Sequence, residues 1–162
     1  MKPSAPDDMV DPLTLPLDQD AIQRLLPHRF PFLFVDRIVE LEPDRRIVGV
    51  KVVARNDRFL TPLGDGRMAL SRAVLTEAVA QVGAIMVLAR PENCDKLVFF
   101  MGIERVRYRR PVCAGDVVSI EVVARRFRGR SGQFAGTARV DGQVAAHGVM
   151  TFAMAASGDL AF

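Results

Sequence analysis

Apolar and polar residues follow two rhythms along this chain, broken once by a run that is apolar on almost every side. The run is Ser71 to Arg90, SRAVLTEAVAQVGAIMVLAR. Apolar positions surround it nearly all the way round, which predicts a buried helix rather than an amphipathic one. Pro91 stops it. Glu77 and Gln81 interrupt it, and its uniformly apolar stretch falls short of the ~20 residues a membrane span needs, so no span is expected. After the helix the rhythm is period two. From Lys96 to Arg110, Val106 and Tyr108 alternate with Arg105, Arg107 and Arg109, as in a strand with one covered face. A turn at Ala114-Gly115-Asp116 leads to a strand over Val117 to Phe127. Another at Gly129 to Gly132 leads to Gln133 to Val140, and Asp141-Gly142 suits a two-residue hairpin turn into Gln143 to Met154.

Before the helix, Asp18 is placed to cap a short helix over Gln19 to Leu26, ended by Pro27. Phe30 to Leu41 and Arg46 to Ala54 are rich in aromatic and branched residues and predict two strands. Asn56 to Leu70 carries Pro62, Gly64 and Gly66 and predicts a loop. The order is therefore strand, strand, buried helix, four antiparallel strands. One long antiparallel sheet wrapped around one apolar helix covers both faces of that pattern: an α+β chain in the hotdog arrangement. A single sheet leaves open edges, which predicts pairing of at least two copies. Residues 1–17 are expected to form a flexible leader, 18–157 the domain, and 158–162 a tail.

Composition narrows the picture a little. The 162 residues, 49% hydrophobic and 25% charged, suit one globular domain. Cys94 and Cys113 form no CxxC pair, so neither a disulfide framework nor a zinc site is expected, and a reduced cytoplasmic setting fits better. Met1 to Pro16 lacks the apolar stretch of a signal peptide. The net charge is only +3, yet nearly all basic residues are Arg, which favours bidentate contact with carboxylates and phosphates. Few aromatics accompany these arginines, so nucleic acid is a poor candidate partner.

Glu77 carries the sharpest chemical signal. A carboxylate in a buried helix must be paired, hydrogen-bonded or protonated, and burial would raise its pKa toward the value of a general acid. Gln81, one turn on, is spaced to orient it. A structural glutamate held by backbone donors at a subunit interface would satisfy the same pattern.

Four segments resemble a known family in order and in spacing. Leu26-Pro27-His28-Arg29-Phe30-Pro31-Phe32-Leu33 with Val35-Asp36-Arg37 resembles the LPHRYPFLLVDR opening of beta-hydroxyacyl-acyl-carrier-protein dehydratases of the FabZ type. Thr76 to Gln81 resembles their EAxAQ helix. Met101-Gly102-Ile103 through Arg109-Arg110-Pro111-Val112 and Gly115-Asp116 resembles their GI…FRRPVxPGD segment. Val140-Asp141-Gly142 with Ala145-Ala146 matches their VDG hairpin. The likeness runs from about residue 20 to about residue 155.

The resemblance implies dehydration of a 3-hydroxyacyl thioester, carried on the phosphopantetheine of acyl carrier protein, to the trans-2-enoyl thioester, with no other cofactor and no metal. In the family a histidine of a GHFP motif removes the α proton. A glutamate from the other subunit's central helix handles the hydroxyl, and a backbone N–H at the helix start polarises the thioester carbonyl. Glu77 matches that glutamate, and Arg72 supplies the backbone N–H. Counting back from Glu77, with Asn56 and Phe59 keeping the flanking NxxF pattern, Leu63 occupies the histidine position, and Ser71-Arg72 replaces a Pro-Gly. Leu63 cannot accept a proton. Asp65 is the candidate substitute base; His28 and His147 are the remaining imidazoles, His147 being expected opposite Gly136 in a packing role. Phe59, Phe99, Phe100 and Met101 are candidate acyl-tunnel residues, and Arg105, Arg107, Arg109 and Arg110 candidate docking residues for an acidic carrier protein. Two other readings remain: a catalytically degenerate acyl-binding or partner subunit, and a hotdog thioesterase that uses Glu77 to activate water.

Overall fold

The computed structural model describes residues 14–156, so most of the expected leader and all of the tail lie outside the described residues. Asp18 caps helix α1 (Gln19–Leu25), its carboxylate accepting from the Ala21 N–H at 2.9 Å. Strands β1 (Arg37–Glu42) and β2 (Arg46–Val52) form an antiparallel pair. A short ribbon of β3 (Leu60–Pro62) and β4 (Met68–Leu70) precedes helix α2 (Arg72–Leu88). After a single 3-10 turn (Pro91–Asn93) come β5 (Lys96–Tyr108), β6 (Val117–Arg128), β7 (Ser131–Val140) and β8 (Gln143–Ala156). The main sheet is six-stranded in the order β1-β2-β6-β7-β8-β5, and every pairing in it is antiparallel. Helix α2 lies in its concavity, which is the hotdog arrangement expected from the sequence.

Close approach of helix to sheet depends on missing side chains. A Cβ at Gly83 of α2 would stand 2.4 Å from the Phe134 ring, and one at Gly136 of β7 would stand 2.2 Å from Val79 Cγ1. Phe134 stacks on Phe152 at 5.7 Å between centroids, and both are fully buried. Each such side chain contributes about 1.5–3 kcal/mol relative to exposure. From Ala78 to Leu88 every residue of α2 is buried. The helix is therefore the centre of the core.

Several expectations need correction. Phe30 to Asp36 is not strand: the Gln81 side chain takes the backbone groups that a neighbouring strand would take, accepting from Phe34 N–H (2.9 Å) and donating to Phe32 O (2.8 Å). Asn56 to Leu70 is not all loop, because Gly66 at φ 84 closes the β3–β4 ribbon. Leu17, assigned to the leader, is buried and exchanges backbone hydrogen bonds with Ile38, which joins it to the core. His147 faces Thr137 rather than Gly136, since a register shift at Ala138/Arg139 displaces the β7–β8 pairing by one residue. The Asp141-Gly142 turn is as expected, with both residues at positive φ (50 and 75).

Candidate active site

Glu77 sits on the second turn of α2, and its carboxylate is held rather than sealed. Gln81 Nε2 donates to Glu77 Oε1 at 3.0 Å. The same amide binds Phe32 O and Phe34 N–H, so all its polar groups are engaged and the glutamate is registered against the 26–36 segment. The Glu77 side chain keeps 32% of its surface exposed, which corrects the expectation of a buried carboxylate: its face of α2 opens outward. His28 Nε2 stands 3.5 Å from the same Oε1. The histidine is placed by its neighbours. Leu26 is anchored in the core, and the Arg29 guanidinium donates to the carbonyls of Leu26 and His28 at 2.8 Å each.

A second feature lies at the helix start. A cleft of about 400 Å³ is bounded by Leu63 from the ribbon, Ser71, Arg72 and Ala73 from the first turn of α2, and Tyr108 and Arg110 from the end of β5. Ser71 makes no side-chain capping bond. The first-turn N–H groups have no intrahelical partners, and the positive end of the helix dipole points the same way. Tyr108 braces this end: its hydroxyl donates to Arg72 O at 3.2 Å and contacts Thr76 Oγ1, while its ring lies under the Arg72 guanidinium at 5.3 Å. Glu77 does not border the cleft. At 3.6 residues per turn it is rotated about 140° from Arg72 and about 160° from Leu75 around the helix axis, although Ala73, one turn before it, shares its face. Within one chain, then, the carboxylate and the carbonyl-polarising end face different ways.

The remaining candidates separate into distinct places. Asp65 is exposed at the ribbon turn and is bound by Arg67, through its backbone N–H (3.1 Å) and its guanidinium (2.7 and 2.9 Å). Those bonds hold its carboxyl below the usual range, which makes it a weaker base. This corrects its assignment as substitute base. Phe59 belongs to an aromatic cluster with Phe32 (5.8 Å) and Phe34 (5.3 Å), in the segment that Gln81 binds. Phe100 packs edge-on against Phe134 inside the sheet, whereas Phe99 and Met101 are exposed on the edge strand. The four tunnel candidates thus do not enclose one cavity within a chain. Arg105, Arg107 and Arg109 are exposed, and Arg110 is half-buried at the cleft, donating to Gln143 Oε1. His147 Nε2 lies 3.5 Å from the Arg109 guanidinium.

What sequence reasoning underrated is His28. Its neighbourhood with Glu77 depends on how the 26–36 segment folds over α2, and that segment was expected to be a strand.

The family model for the FabA-like domain matches residues 26–149. The FabZ 3-hydroxyacyl-[acyl-carrier-protein] dehydratase of Thermomicrobium roseum is 44% identical over 82% of this chain and 89% of its own length. This chain belongs to the FabZ dehydratase family. The FabZ of Moorella thermoacetica is 42% identical, over 85% of this chain and 96% of its own. Among solved structures, the dehydratase heterocomplex ApeI:P from Xenorhabdus doucetiae superposes with a TM-score of 0.73 at 20% identity, covering 90% of this chain and 94% of that one. The thioesterase HI1161 from Haemophilus influenzae superposes at 0.59 with 17% identity, over 74% and 78%. These two likenesses concern the fold. Among the described residues no helix is long and apolar enough to cross a membrane.

Proposed function

We propose that this member of the FabZ family dehydrates 3-hydroxyacyl thioesters of acyl carrier protein to trans-2-enoyl thioesters, with Glu77 as the acid that releases the hydroxyl as water. The observation that carries the reading is the Glu77 carboxylate, oriented by Gln81 at 3.0 Å yet open to an incoming substrate. The helix-start cleft supplies the other requirement, a set of N–H groups aimed where an enolate oxygen would develop charge.

Because Glu77 and the cleft face different ways in one chain, the working site is shared between two copies, the glutamate of one meeting the cleft of the other. The open edge of β5 favours that assembly: it carries exposed Phe99, Met101 and Ile103 beside unpaired backbone groups. Phe99 and Met101 would line an acyl passage only once a second copy covers them. Arg105 and Arg107 on the same strand, with Arg109 just past its end, are exposed basic residues suited to steering an acidic carrier protein.

One observation favours a second reading. Leu63 presents an alkyl group to the cleft, and Asp65 is turned to Arg67, so the ribbon brings no base to the site. A subunit that binds acyl thioester without turning it over would look the same there. The test incubates the purified protein with 3-hydroxydecanoyl-[acyl-carrier protein] and follows enoyl formation and free thiol together. Enoyl product that disappears in Glu77→Gln establishes the dehydratase. Free thiol without enoyl would make it a thioesterase, and neither product with retained binding would make it a non-catalytic subunit.

A further inference from the structure

With Leu63 in the cleft, the α proton still needs an acceptor, and the chain holds two histidines. His147 borders a small pocket with Leu75 and Thr76 of α2, and its Nε2 lies 3.5 Å from the Arg109 guanidinium. His28 stands instead against the one carboxylate on α2. We infer that His28 is the base of this enzyme, working as a pair with Glu77 of the same subunit. The inference rests on the dehydratase reading above.

Two observations support it. The Nε2–Oε1 separation is 3.5 Å, and both side chains are 32% exposed, so a substrate can reach the two polar tips together. One amide, Gln81, binds both the glutamate and the backbone of Phe32 and Phe34, which ties the segment that carries His28 to the helix that carries Glu77.

The chemistry balances within the pair. Nε2 takes the α proton, and the C–H electrons become the new double bond through a thioester enolate. The Cβ–O bond breaks with its electrons on oxygen, and the Glu77 carboxylic acid protonates the departing hydroxyl to water. Imidazolium and carboxylate remain, and the proton crosses from His28 to Glu77 to restore the starting pair. No further reactant is needed. Two groups this close, on one wall, reach a hydrogen and a hydroxyl leaving from the same face, so the elimination is syn.

The test uses the full-length protein with 3-hydroxydecanoyl-[acyl-carrier protein], comparing wild type, His28→Gln, Glu77→Gln, Leu63→His and the double variant His28→Gln/Leu63→His. Loss of a general base is expected to lower kcat by about 10²–10⁴-fold in His28→Gln with KM changed only a few-fold. Leu63→His in the double variant then restores turnover, because it supplies an imidazole from the ribbon. A His28→Gln enzyme within a few-fold of wild type, beside an inactive Glu77→Gln, overturns the inference and leaves the dehydratase reading intact. So does an inactive wild type that Leu63→His activates. Silence of both wild type and Leu63→His removes the dehydratase reading and the inference with it. A His28→Gln loss that neither Leu63→His nor imidazole added to His28→Ala repairs makes the histidine structural, and the inference fails.

Discussion

At the scale of single residues the site is organised by Gln81. It is buried, and its amide satisfies Phe32 O, Phe34 N–H and Glu77 at once. Replacing it with Leu leaves the buried Phe34 N–H unmatched, at about 1–3 kcal/mol, and frees the partly buried Phe32 carbonyl, which costs less. We therefore expect Gln81→Leu to lower the urea midpoint by an amount worth about 1–3 kcal/mol and to reduce turnover as well, since Glu77 loses its orientation; equilibrium unfolding checks the first part. Asp65 offers the contrasting case. Its carboxylate is exposed and bound within its own turn, so Asp65→Asn should leave dehydration within a few-fold of wild type in the same enoyl assay. A loss comparable to that of Glu77→Gln would return Asp65 to the site.

At the scale of elements, the contact of α2 with the sheet decides the sign of a simple substitution. Ala in place of Gly inside a helix ordinarily stabilises by up to about 1 kcal/mol. At Gly83 the added methyl would meet the Phe134 ring at 2.4 Å, and overpacking of this kind costs about 1–3 kcal/mol. Gly83→Ala should therefore destabilise, as read by chemical denaturation, opposite to the propensity scale. The sheet carries a charge cluster whose pH dependence is also determined. Glu121 on β6 is bound by Arg46 on β2 (2.7 Å) and Arg139 on β7 (3.2 Å). The Arg46 hydrogen bond is the main cause holding its carboxyl below the ordinary 4.5. A depressed carboxylate contributes stability above its unfolded value that is lost as pH falls through the folded one. The side chains are about a third exposed, so the effect is about 0.5 kcal/mol or less. Glu121→Gln should show a correspondingly flatter decline of stability below pH ~5.

The same scale shows what could be read beforehand. The buried helix, the long strands and the Asp141-Gly142 hairpin were legible because period and turn chemistry are local signals. The 30–36 segment was misread because its residues have strand composition while its hydrogen bonds go to a side chain 47 positions away. The β3–β4 ribbon was hidden by Pro62, Gly64 and Gly66, which break a long strand yet permit a tight three-residue pairing. Of the site, Glu77 and Gln81 were legible as polar interruptions of an apolar helix. The approach of His28 was not, since it depends on that same misread segment.

At the scale of the whole molecule, one chain holds the parts of a site facing two ways. Glu77 lies on one side of α2, the cleft residues Arg72 and Leu75 on another, and β5 ends the sheet with Met101 and Ile103 exposed. Charge placed on that edge should separate the copies. Ile103→Glu is expected to run as a monomer in sedimentation velocity and to lose dehydration while keeping its fold.

Complementation between chains tests the central claim most directly. Glu77→Gln removes the carboxylate, and Leu63→Trp, from the ribbon, fills the cleft, so each variant alone should be inactive. Unfolded together and refolded, they form mixed dimers holding one intact site, built from the glutamate of one chain and the cleft of the other. Random pairing in a two-fold dimer then returns about a quarter of wild-type turnover. Mixed dimers that form yet stay at the background of the parents would contradict a site shared between copies, and with it the dehydratase built on Glu77.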